Sequence, residues 1–192
     1  MNKLIIGIVI FLLIGLSSST FADDNIRDRK MRLRIGFEHW YSDSFRTADV
    51  GLKDDSFTLG MNYQLPISWI EFLLRYEYAT IKADPAQNDF LEYNGKRIDF
   101  VTTGFTLTKI LNCGYQTVAF SALPLGLLWV KVNGHEESIG QSSGFTIDWL
   151  FDGRTGMFLD MRYKSYQLQR LDGSRMDRQS DVSIGVGVVT RL

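Results

Sequence analysis

One cysteine, three prolines and two histidines are all that this chain of 192 residues carries of those types. A lone thiol, Cys113, forms no intrachain disulfide, so the fold holds without covalent staples. Charge of one sign is missing too. Twenty-one Lys and Arg face 22 Asp and Glu, for a formal net charge of −1, which argues against a general nucleic-acid or acidic-lipid binder. Length suits one domain. What the chain does have is 13% aromatic residues and 17 glycines, a mixture that favours strands and turns over helices.

The one long apolar run stands at the start. "MNKLIIGIVIFLLIGLSSSTFA" has Lys3, an apolar stretch over 4–16 and small residues at Thr20 and Ala22, the layout of an export signal cleaved after Ala22. It is shorter than the roughly 20 residues a spanning helix needs. The expected division is a signal peptide over 1–22 and one domain over 23–192. No Cys lies near the cleavage point, which excludes a lipoprotein.

Beyond residue 22 the dominant pattern has a period of two. "MRLRIGFEHWY", "FTLGMNYQL", "WIEFLLRYEYATI", "FVTTGFTLTKI", "FTIDWLF", "MFLDMRYKSYQL" and "DVSIGVGVVTRL" each alternate apolar with polar or small residues, as two-faced strands do. "TVAFSALPLGLLWVKV" is apolar on both faces and contains Pro124, which predicts a bulge or bend near Pro124 and Gly126. The total is eight strands. Turn chemistry at 63–68, 111–115 and 151–156 alternates with longer polar connections over 42–56, 82–96, 133–144 and 169–180, so short turns collect at one end and long loops at the other.

The polar face mixes large charges (Arg32, Arg34, Glu38, Glu71, Arg75, Glu77, Asp148, Asp160, Arg162, Lys164 and Arg191) with Gly36, Gly60, Gly104, Gly185 and Gly187. Strand glycines weaken a solvated surface for no gain, whereas a narrow eight-stranded lumen needs them opposite bulky groups. The predicted orientation is therefore charges inside and the apolar face in lipid. Tyr41, Tyr63, Tyr78, Trp149 and Tyr163 sit toward strand ends, as an aromatic girdle requires. Closing the barrel pairs the last strand with the Met31 strand, which leaves no edge open in hydrocarbon.

In this pattern the mature chain, roughly 23–192, resembles the small eight-stranded outer-membrane β-barrel proteins of Gram-negative bacteria, the OmpX and OmpA transmembrane-domain type. The resemblance implies an all-β, antiparallel up-and-down transmembrane barrel in the outer membrane, with both termini and the short turns in the periplasm. It also implies a monomer, the barrel-assembly machinery as partner during insertion, and outer-membrane lipids and lipopolysaccharide as neighbours. The family usually ends in an aromatic residue; Leu192 stands here instead.

Candidate chemistry is sparse. The lumen charges read first as a salt-bridged plug, since an unpaired buried charge costs several kcal/mol, and second as a gated ion path through Arg34, Glu71, Arg75, Arg162 and Lys164. Arg170, Arg175 and Arg178 in a predicted loop are candidates for lipopolysaccharide phosphates. A lipid-modifying barrel enzyme would have to use His39 or His135 with Asp55 and Ser56. "HEES" around His135 is too thin for a metal site and reads as a solvated loop tip. No cofactor, metal or catalytic residue is expected. A soluble periplasmic lipocalin-like carrier, with the faces reversed, is the remaining alternative.

Overall fold

The computed structural model describes residues 31–41, 56–81, 92–151, 154–169 and 173–192. The leader over 1–22 and its cleavage point lie outside them. The alternating segments form β1 (Met31–Tyr41), β2 (Ser56–Gln64), β3 (Ile70–Thr80), β4 (Arg97–Cys113), β5 (Gln116–Val132), β6 (Ser138–Leu150), β7 (Thr155–Gln169) and β8 (Arg175–Arg191). Each pairs antiparallel with the next, and β8 returns to β1 to close the barrel. The seam runs from Arg32 opposite Arg191 to Tyr41 opposite Val182. Below it, the Leu192 N–H donates to Met31 O at 2.8 Å. Closure gives every paired strand two neighbours and removes the unpaired edge.

Short turns gather at one end, as the sequence predicts. Cys113 pairs with Gln116 across a two-residue hairpin in which Gly114 has φ 66°, a left-handed conformation that glycine adopts without a Cβ clash. The Leu65 N–H donates to Ile70 O at 3.0 Å in the β2–β3 turn, and the Phe151 N–H donates to Thr155 O at 2.8 Å in the β6–β7 turn.

The opposite end differs from the prediction. The expected loop over 133–144 shrinks to a turn over 133–137, because β6 already begins at Ser138. "SIGQSSG" reads as loop by composition, yet small residues are what this wall needs. A Cβ on Gly140 would lie 2.8 Å from Cβ of Tyr166, and Ser142 stands opposite Lys164. Likewise β8 starts at Arg175, inside the expected loop over 169–180, paired with the polar end of β7. The other two predicted loops fall largely on residues 42–55 and 82–91, outside the described residues.

The Pro124 bulge is present. Pairing of β5 with β6 shifts between Leu123 and Gly126, and pairing with β4 shifts between Gly104 and Leu107. The inward set therefore changes parity, from Thr117, Ala119, Ser121 and Leu123 to Gly126, Leu128, Val130 and Val132. That inversion explains why β5 looks apolar on both faces in the sequence. Trp69, which strict alternation puts with Glu71, instead lies on the outside at the β2–β3 turn, 55% exposed.

Inside, the lumen is filled in three levels. Leu150, Phe158 and Val189 close the short-turn end. Charged side chains occupy the middle. Ile81, Tyr93, Ile98, Phe100, Leu128, Val130, Val132, Tyr166 and Leu168 pack the far end with Ala79. Gly36 and Gly187 face each other in the seam, and a Cβ on either would come within 2.7 Å of the Phe158 ring. Their bareness makes room for that ring.

Candidate functional site: a filled ionic lumen

The inward register of β1, β3, β6 and β7 carries ten charged side chains into the middle of the barrel. Five are cations (Arg32, Arg34, Arg75, Arg162, Lys164) and five are carboxylates (Glu38, Glu71, Glu77, Asp148, Asp160). None of these side chains is more than 4% exposed. Groups desolvated to this degree are tolerated only when paired and hydrogen-bonded.

They divide into two tiers. In the tier nearer the short turns, Asp148 receives Arg34 through Nε and Nη2, both at 2.6 Å, a bidentate pairing of the kind a guanidinium fork favours. Arg32 joins Asp148 to Glu71 and donates to Ser121 Oγ at 3.0 Å. Asn62 knits the tier together, accepting from Arg34 and donating to Glu71 Oε2 at 2.8 Å and Thr106 Oγ1 at 3.1 Å.

The second tier centres on Arg75, which contacts Glu38 and Glu77 and lies 3.0 Å from Asp160 Oδ2. Arg162 reaches Asp160 at 3.0 Å, and its Nη2 donates to Thr146 Oγ1 at 2.9 Å. Lys164 bridges Glu77 and Glu38, the latter at 3.3 Å. Its Nζ also sits 5.0 Å from the centroid of the Phe100 ring, so one ammonium joins the ionic tier to the apolar end by a cation–π contact. Above it, Phe100 meets Tyr166 edge-on at 5.3 Å, and the Tyr166 hydroxyl donates to Asp181 Oδ2 at 2.5 Å.

All eleven lumen charges named from the sequence point inward. Arg191 is buried at the short-turn end, opposite Arg32 in the seam, and its backbone N–H donates to Arg154 O at 2.7 Å. The loop arginines are corrected: Arg175 and Arg178 belong to β8 rather than to a loop, because the Gln169 and Gln167 backbones pair with them. Arg178 is exposed, and its Nε donates to Ser165 Oγ at 2.6 Å. Arg170 lies outside the described residues.

His135 also departs from the solvated tip expected of it. Its ring stacks on Tyr93 at 4.5 Å, with Nδ1 3.0 Å from Gln169 O and Nε2 2.9 Å from Lys96 Nζ. A carbonyl only accepts and an ammonium only donates, so Nδ1–H donates to Gln169 O and Nε2 accepts a hydrogen bond from the Lys96 ammonium. Tyr93 donates to the same Gln169 carbonyl at 2.8 Å. Three connections are thereby tied over the apolar end. Sequence spacing gave no sign of this knot, since its members come from three distant segments.

Ser56 is fully buried, while His39 lies on the exposed outer face. The barrel wall separates this His–Ser pair; Asp55 lies outside the described residues. Cys113 is exposed at the end of β4, beside the short turn where the sequence places it. Among the described residues, no three His, Cys, Asp or Glu side chains gather as a metal site.

The outer surface inverts the lumen. Ile35, Phe37, Phe105, Met157, Val186 and Val188 are all more than half exposed. Patches of this extent on a barrel whose charges are sealed within need apolar surroundings. Fold and filling together define a class: a small closed β-barrel with an ionic interior and an apolar exterior.

No protein-family model and no curated protein matches the chain. Among solved structures, it is similar to Neisserial surface protein A, with TM-score 0.48, 12% identity and 84% of this chain covering 96% of that one. It is also similar to the outer membrane protein AlkL, with TM-score 0.46, 11% identity, and coverage of 85% and 90%. Ail, the attachment invasion locus protein of Yersinia pestis, gives TM-score 0.34, 10% identity, and coverage of 83% and 96%.

Proposed function

We propose that this protein is a monomeric outer-membrane β-barrel with a plugged lumen, a non-enzymatic component of the cell envelope. It is exported with cleavage after Ala22, inserted by the barrel-assembly machinery, and contributes to envelope integrity and to surface contact at its loop end, with lipopolysaccharide or with host or environment. One observation carries the reading: charged side chains are sealed inside while large apolar ones cover the outside. A soluble lipocalin-like carrier would have the reverse polarity. The exposed guanidiniums of Arg175 and Arg178 at the loop end suit phosphate-bearing lipids.

The pairing of five cations with five carboxylates supports a plug over an ion path, because conduction requires groups that release their partners. The test is reconstitution. The mature protein should partition into detergent, migrate on gels at different positions before and after boiling, and give no discrete conductance steps in planar bilayers. A water-soluble mature protein would overturn the membrane reading; regular steps that change on substituting Arg75 would replace the plug with a path.

A further inference from the structure

The outer wall is not evenly covered. Across β4, β5 and β6 one row of outward residues reads Leu107, Ala122, Phe145, and the next toward the short turns reads Lys109, Phe120, Ile147. Ala122, with only a methyl group, lies between larger neighbours directly before the Pro124 bulge. The result is a groove of about 540 Å³, with Trp69 on its β3 side, Phe145 and Ile147 on the other, and Phe120 and Lys109 toward the short-turn end. Its volume falls within the roughly 300–1,000 Å³ of small-molecule sites. Its lining surface is almost wholly apolar; of the four polar residues that line it, Thr108, Ser121 and Thr146 are buried toward the lumen and Lys109 alone is exposed.

Lys109 is placed where an ammonium in a membrane wall is tolerated. It lies two residues beyond Leu107, the last β4 residue paired with β3, and four before Cys113 at the hairpin. Trp69 and Trp149, both about half exposed, mark the same end of the barrel in the way interfacial aromatics do. A lysine at that height extends its head toward the polar boundary and lays its methylenes on the wall. The ligand that presents a long apolar chain beside an anionic group at this depth is a glycerophospholipid of the short-turn-side leaflet.

We propose that this groove is a phospholipid site: one acyl chain lies over Ala122 between Trp69 and Phe145, and the phosphate pairs with Lys109. The site rests on the barrel lying in a bilayer as proposed above. Charge complementarity selects this occupant, since an aliphatic chain alone leaves Lys109 without a counterion and a second copy of the chain would have to bring its own carboxylate to the same spot.

The test uses the mature protein inserted into vesicles of phosphatidylethanolamine and phosphatidylglycerol, then extracted in mild detergent and weighed by native mass spectrometry. The wild-type protein should retain one phospholipid. Ala122→Phe, which fills the groove, should lose it, and Lys109→Gln should lower its retention about tenfold, the equivalent of roughly 1.4 kcal/mol. Val186→Phe, which places the same ring on the exposed face of β8 away from the groove, should leave retention unchanged. Equal retention in Ala122→Phe and wild type would overturn the proposal, as would a mass of two chains that Ala122→Phe reduces to one. Gel migration before and after boiling reports folding of every variant. Failure of the wild-type protein to enter the vesicles would count against the membrane reading itself, a result distinct from insertion without a retained lipid.

Discussion

The middle of the lumen and its loop end are built from the same strands by opposite means. On β4 the inward side chains pass from Thr108, Thr106 and Thr102 to Phe100 and Ile98; on β5 they pass from Thr117, Ala119 and Ser121 to Leu128, Val130 and Val132. The ionic middle is specific but unforgiving, because each charge is desolvated and depends on its partners. The apolar end needs only volume and shape, and its loss is graded by the space left behind. Alternation in the sequence reports on the first region well and on the second poorly, since at the loop end both faces of the wall are apolar.

Arg75 gives the sharpest way to break the difference. It serves three buried carboxylates, so Arg75→Leu should cost about 3–5 kcal/mol in urea unfolding from detergent micelles, and raising salt should not mimic it because sealed pairs are little screened. Adding Glu38→Leu to that variant should restore part of the loss, a coupling that a double-mutant cycle measures. Costs of the two substitutions that simply add would instead mean that the network acts through volume alone.

In the apolar end, Leu128→Ala should cost about 2–5 kcal/mol by the same assay and show no such rescue by a polar partner. Outside both regions, Lys131 pairs with Glu137 at 2.6 Å with side chains 39% and 59% exposed. Lys131→Gln should change stability by no more than about 1 kcal/mol, and the small effect should vanish in high salt. Set beside Arg75→Leu, it isolates burial as the source of the larger cost.

Much of this was legible in the residues. The eight strands, the short-turn end and the inward placement of Arg32, Arg34, Glu38, Glu71, Arg75, Glu77, Asp148, Asp160, Arg162, Lys164 and Arg191 follow from a period of two and the width of an eight-stranded lumen. Which cation meets which carboxylate does not, because it depends on shear and on side-chain reach across the interior. Composition alone shortens β6, because glycine and serine suggest a loop; they are there to accommodate Tyr166 and Lys164. The bulge at Pro124 was visible, but not that it inverts the facing of β5. The knot of Tyr93, Lys96, His135 and Gln169 left no trace in spacing, since it is assembled by tertiary contact alone.

The seam between β1 and β8 has a consequence for how the barrel comes into being. Ile35 meets Val188, and Tyr41 meets Val182, across most of the length of the chain. Contacts so distant in sequence form slowly, whereas the hairpins between successive strands are local. The topology thus predicts an order of assembly, in which a curved ribbon grows through neighbouring strands and its two outermost strands pair last; hydrogen-exchange labelling during refolding in micelles should protect the β4–β5 hairpin before the β1–β8 seam.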